Sequence, residues 1–276
     1  MAMTVLIALS AACFVWWFST GAILVAVRLT AQGGRRAGLR MTLAAMPLLL
    51  LGGVGLWASL GDITLRGAYT GFLSAVVLWG WFELSFLSGA VTGPNLTSRK
   101  AGLNIRQRFL AAWNAIAYHE LTLAVLILFA AEISWQAANK TGLWVLLVLY
   151  VARVSAKFNL FLGVAHANTE FLPGHLAHLS SHFGQARMNR FFPVSVMILT
   201  GGLVIWLQLL VAAEQTGAQA SYALLASLTA LALLEHMFMV LPWPDAKLWR
   251  WMLPGPSPKM TRQKLSTNVT ELTHEF

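Results

Sequence analysis

The chain has 276 residues, of which 58% are hydrophobic and only 11% charged, against ~25% charged in an ordinary soluble domain. That balance excludes a soluble enzyme and predicts an all-α, polytopic membrane helical bundle. The net charge of +9 is no nucleic-acid footprint, because basic residues flanking membrane spans give the same excess and set orientation.

A membrane-crossing helix needs roughly 20 predominantly apolar residues. Seven segments qualify, at about 3–27, 41–60, 68–91, 109–131, 142–165, 192–213 and 220–241. The first is too long for a signal-peptide core, lacks a preceding basic residue, and reads as a retained span. It holds Cys13, the chain's one cysteine, which leaves no intrachain disulfide and no cysteine-based metal site. Arg28, Arg35, Arg36 and Arg40 follow it; Arg99, Lys100, Arg106 and Arg108 lie between spans three and four. Arg187 and Arg190 precede span six, and Lys247, Arg250, Lys259, Arg262 and Lys264 follow span seven. The opposite loops hold only Arg66 and Lys140. The positive-inside rule therefore predicts the N-terminus outside and the C-terminus in the cytoplasm. The bundle is expected over 1–241, with a His-rich segment at 166–184 on the cytoplasmic side. Residues 242–276, carrying Pro244, Pro254, Pro256 and Pro258, read as an interfacial segment and cytoplasmic tail. Tryptophans beyond span seven (Trp243, Trp249, Trp251) suit an aromatic belt.

Six of the seven histidines fall in three clusters beside acidic residues, and there are only 10 acidic residues in all. The clusters are Tyr118-His119-Glu120, then His166 to Glu170 running on to His175, His178 and His182, then Glu235-His236. Ionisable groups are costly in hydrocarbon and mark functional candidates. Topology predicts a shared depth. Glu83 lies in the inner half of span three, His119 and Glu120 sit ~15 Å into span four from the cytoplasmic side, Glu235-His236 lies near the inner end of span seven, and His166 at that of span five.

His166 and Glu170, spaced i, i+4, share a helical face. After a break at Pro173-Gly174, His175, His178 and His182 at i, i+3, i+7 predict a short helix with its histidines on one face. Imidazole and carboxylate together suit iron, zinc, manganese or copper. The candidate ligands are His119, Glu120, His166, Glu170, His175, His178, Glu235 and His236, with Glu83 and His182 as additional candidates. They are enough for two transition-metal ions, iron first among them, at one common centre. Three plainer readings stand beside it. Arg153 or Lys157 in span five could pair with Glu83 or Glu120; single histidines could ligate haem iron or bacteriochlorophyll magnesium; the polar groups could form a structural network. The HxxHH pairs of membrane di-iron oxygenases are missing.

The run Leu234-Glu235-His236-Met237-Phe238-Met239-Val240-Leu241-Pro242-Trp243-Pro244-Asp245, with Leu248-Trp249-Arg250-Trp251, resembles the photosynthetic complex assembly protein family called PuhE. His166-Ala167-Asn168-Thr169-Glu170-Phe171-Leu172-Pro173 through His182-Phe183 and the Tyr118-His119-Glu120 step resemble it too, and the likeness covers most of residues 70–255. It implies a bacterial phototroph, the cytoplasmic or intracytoplasmic membrane, and a role in building the reaction centre and its light-harvesting ring. Partners would be those components or their pigments, within the lipid bilayer. It implies no chemistry. Three functions are therefore open: a non-catalytic assembly factor, a di-iron oxygenase or hydroxylase acting on a lipophilic pigment, quinone or carotenoid, and a pigment- or haem-binding accessory subunit.

Overall fold

The computed structural model describes residues 2–30, 33–167, 169 and 172–242. Its helices are α1 (Ala2–Thr30), α2 (Gly34–Ala44), α3 (Met46–Ser59), α4 (Leu65–Leu87), α5 (Ile105–Ile133), α6 (Thr141–Leu162), α7 (Phe192–Ala212) and α8 (Thr216–Phe238). Among the described residues 7 stretches are long and apolar enough to cross a membrane, α2 and α3 together forming one of them. The all-α bundle is thus as expected. The expected interfacial segment and tail lie, beyond Pro242, outside the described residues, as does Glu170.

The second span is not the single helix expected over 41–60. It starts earlier, at Gly34, and breaks at Ala45 just before Pro47, which stands in the first turn of α3. Proline has no N–H for the preceding turn and clashes with its carbonyl, so the ladder is interrupted there. The third span ends at Leu87 rather than near 91, because Gly89 turns the chain at φ +77, a conformation that favours glycine.

α4 and α8 form the centre. More than half of each apolar stretch is buried, whereas less than a quarter of the α1, α2–α3 and α7 stretches is. α4 packs on α3, α6, α8 and α1, and α8 on α7, α1, α4 and α6. Their buried faces are rich in small residues: Gly67, Ala68, Gly71, Ser74 and Ala75 on α4, and Gly217, Ala220, Ala223, Ala226 and Ser227 on α8. Lipid tails are as apolar as leucine, so helices associate in a membrane through close backbone approach and hydrogen bonds. Gly142 shows the closeness, since a Cβ there would stand 2.3 Å from Leu56 Cδ1 and 3.0 Å from the Gly71 carbonyl oxygen. Leu56, Phe72, Leu123, Leu146, Leu224 and Leu225 fill the space between.

One end of the bundle is closed by two irregular segments. Residues 88–104 fold back against α5: the Asn95 amide donates to Asn114 O (3.1 Å) and the His119 amide to Thr92 O (3.0 Å). Gly93 allows this approach, because a Cβ there would lie 2.1 Å from Asn114 O. α5 opens with a reciprocal cap in which Asn104 Oδ1 accepts from the Gln107 amide (2.9 Å) and Gln107 Oε1 from the Asn104 amide (3.1 Å). The second segment, Gly174–His182, is a 9-residue 3-10 helix. Its Leu176 and Leu179 are buried with Phe86 and Ala115, which anchors it against the end of α4 and the first half of α5.

Candidate functional site

The interior polar groups belong to α4, α5, α6, α7 and α8, with Asn189 just before α7. α6 organises them through two faces. Arg153 and Lys157, spaced i, i+4, turn toward α4 and α5. Arg153 Nη2 donates to Glu83 Oε2 at 2.6 Å, and Lys157 Nζ pairs with Glu120 Oε1. Ser155 and Asn159, also i, i+4, lie about 160–200° away around the helix and turn toward α7 and α8. Ser155 Oγ bonds His236 Nε2 at 2.7 Å, and Asn159 Nδ2 donates to Ser195 Oγ at 2.8 Å. Asn189 completes this second group, donating to Asn159 Oδ1 (3.0 Å) and Gly163 O (2.9 Å) while its Oδ1 accepts from the Phe191 and Phe192 amides.

Phe86 lies between the ionic groups. His119 stacks on it with ring centroids 4.5 Å apart, and Lys157 Nζ and the Arg153 guanidinium stand 5.4 and 6.0 Å from its centroid, within cation–π range. His119 is fully buried, its Nε2 is 3.9 Å from Glu83 Oε1, and neither ring nitrogen makes a hydrogen bond. Glu83, Arg153, His119, Glu120 and Lys157 therefore form one cluster of two buried carboxylates, a buried imidazole and two half-buried cations. The opposite charges come from different helices, which makes the cluster a clasp between α4, α5 and α6.

The other candidate ligands lie elsewhere. His236 is buried; its Nδ1 meets Ala232 O at 2.8 Å and its Nε2 meets Ser155. Glu235, its sequence neighbour, is exposed and accepts from Trp16 Nε1 of α1 at 2.9 Å. His166 is exposed, and its amide donates to Met239 O at 3.0 Å beyond the end of α8. His175 Nε2 meets Leu87 O at 3.0 Å, completing the C-terminus of α4. His182 Nε2 meets Thr97 O at 3.4 Å. His178 Nε2 is buried without a partner. The expected α-helical spacing here is corrected: with three residues per turn, His175 and His178 stay in line, but His182 rotates by about a third of a turn. Burial pushes His178 and His182 below the ordinary imidazole range, though a backbone contact to each opposes it.

Among the described residues no group of three or more His, Cys, Asp or Glu stands where it could hold a metal ion. The donors described do not fit a two-metal centre as they stand: Arg153 and Lys157 occupy both interior carboxylates, and His236 faces a hydroxyl and a carbonyl. The pairing of span-five cations with Glu83 and Glu120 is the alternative that the sequence held open. Ser155, Asn159, Asn189 and Ser195 were not singled out there. The signal for two of them was the i, i+4 spacing of Ser155 and Asn159, offset from Arg153 and Lys157 in an otherwise apolar helix.

A Rhodobacter capsulatus protein described as an uncharacterized 30.4 kDa protein in the puhA 5′ region is 49% identical over 242 residues, which cover 88% of this chain and 88% of that one. No solved structure matches the chain. A family model described as a protein of unknown function (DUF3623) matches residues 1–260, and the chain belongs to that family.

Proposed function

We propose that this protein is an integral membrane factor for the biogenesis of the bacterial photosynthetic reaction-centre and light-harvesting complex, resident in the cytoplasmic membrane. The observation that carries the reading is the location of its 49% identical relative in a puhA 5′ region, within a photosynthesis gene cluster. The geometry agrees with a scaffold: ionic groups at membrane depth are spent on one another, and the most apolar helices lie outside, free to meet lipid or apolar partner helices. The basic loops favour an orientation with the 3-10 segment at the cytoplasmic face. Partners on this reading are reaction-centre or light-harvesting polypeptides, or their pigments.

Deleting the gene should lower the near-infrared absorbance of reaction-centre and light-harvesting complexes in isolated membranes, and the intact gene should restore it. Unchanged complexes in the deletion strain would overturn the proposal. The competing reading is a di-iron oxidoreductase acting on a lipophilic pigment, quinone or carotenoid. It draws on His119, whose ring nitrogens make no hydrogen bond and stand beside Glu83. Metal analysis of the purified protein separates the two: about two iron atoms per chain would favour the oxidoreductase. A co-purifying Soret or near-infrared band would instead indicate a haem- or bacteriochlorophyll-binding subunit.

A further inference from the structure

A cavity of about 420 Å³ lies between the start of α5, the 88–104 segment and the end of the 3-10 helix, lined by Arg99, Arg108, Ser180, Ser181 and Gln185 among others. Its charge is one-sided. Residues 84–119 and 171–213, which supply its lining, contain no aspartate or glutamate. Neither arginine has an ion-pair partner among the described residues. Arg108 Nε is shielded from solvent and makes no hydrogen bond. A buried donor left unsatisfied is costly, whereas a guanidinium is suited to gripping an oxyanion through paired N–H groups.

The surroundings indicate what carries the anion. The Arg108 guanidinium covers the Phe161 ring at 5.5 Å, and Phe161 meets Phe109 edge-on with centroids 5.8 Å apart. Phe109 stacks on Phe158, and both are exposed on the outer surface with Ile105, Leu110 and Leu162. A polar, basic cavity thus adjoins an apolar outer face at the end of two membrane-crossing helices. Basic pockets between membrane helices hold anionic lipid headgroups.

We propose that this cavity binds the phosphate of an anionic phospholipid between Arg99 and Arg108, with the acyl chains along the Phe109–Phe158 face. A zwitterionic lipid is disfavoured because its ammonium would meet the same arginines. Free phosphate has the same oxyanion but cannot use the apolar face.

The test uses the full chain, purified in detergent and stripped of lipid, with thermal unfolding followed on adding phosphatidylglycerol, phosphatidylcholine or inorganic phosphate. Phosphatidylglycerol should raise the melting temperature, and the other two should leave it in place. Arg108→Gln and Arg99→Gln should each weaken the phosphatidylglycerol effect by roughly tenfold in concentration, whereas Arg106→Gln, an exposed position on the same helix turn, should not. Arg99 is exposed in a loop, so its variant remains readable should Arg108→Gln fail to fold. Equal responses to phosphatidylcholine, or unchanged affinity in the Arg99 variant, would overturn the site. An equal response to phosphate would overturn its assignment to a lipid.

Discussion

The interior cluster of α4, α5 and α6 and the His-rich cap beside it satisfy their polar groups in opposite ways. In the interior, each carboxylate meets a cation from another helix, Glu83 with Arg153 and Glu120 with Lys157. In the cap, His175 and His182 meet the backbone carbonyls of Leu87 and Thr97. The difference follows charge. Within hydrocarbon a charge finds no water, so only an opposite charge or a dense set of hydrogen bonds makes it tolerable. The end of α4 leaves the Leu87 carbonyl unpaired, the irregular segment leaves that of Thr97, and a neutral imidazole can meet each.

If the interior pairs are what clasps α4, α5 and α6, removing one cation has the largest effect. Lys157→Leu should leave Glu120 buried without a counter-charge and cost about 3–5 kcal/mol. Unfolding in mixed detergent micelles would measure this. Adding Glu120→Gln to Lys157→Leu should recover much of the loss. A single variant as stable as the parent would show that the pair contributes nothing.

His236 marks the boundary between the two regimes, buried like the interior groups but hydrogen-bonded to neutral partners. Ser155→Ala removes the hydroxyl at its Nε2 and should cost about 1–3 kcal/mol, the penalty of an unsatisfied buried polar group. The same detergent titration reads it, and a loss as large as that of Lys157→Leu would erase the distinction between charged and neutral parts of the core.

The smallest expected effect belongs to the cap and depends on pH. His178 and His182 are held below the ordinary value of about 6.5, chiefly by burial. A histidine whose folded value is depressed stabilises the fold while neutral. That contribution is complete above about pH 6.5 and fades as the pH falls through the lowered folded values. Amide exchange over 174–182, corrected for its intrinsic pH dependence, should therefore show protection that weakens below about pH 6, with α7, which carries no histidine, unaffected. Constant protection across that range would mean the cap is indifferent to its histidines.

The sequence by itself determined the class of molecule and the number of spans. Those follow from a local quantity: the length of an apolar run against the thickness of a bilayer. It also held the correct partners of Glu83 and Glu120 among its alternatives, because Arg153 and Lys157 lie at matching depth on a neighbouring span. Only the tertiary structure decided which face each group occupies. Residues at one depth can point in any direction around a helix axis, and 3.6 residues per turn set Ser155 and Asn159 apart from Arg153 and Lys157 on the same helix. The spacing of His175, His178 and His182 misled for a related reason: it assumed an α-helical period where Leu176 and Leu179, seated on Phe86 and Ala115, hold the segment in a 3-10 coil. Depth is written in one dimension along the chain, but a binding centre requires convergence in three, and convergence depends on helix rotation and packing.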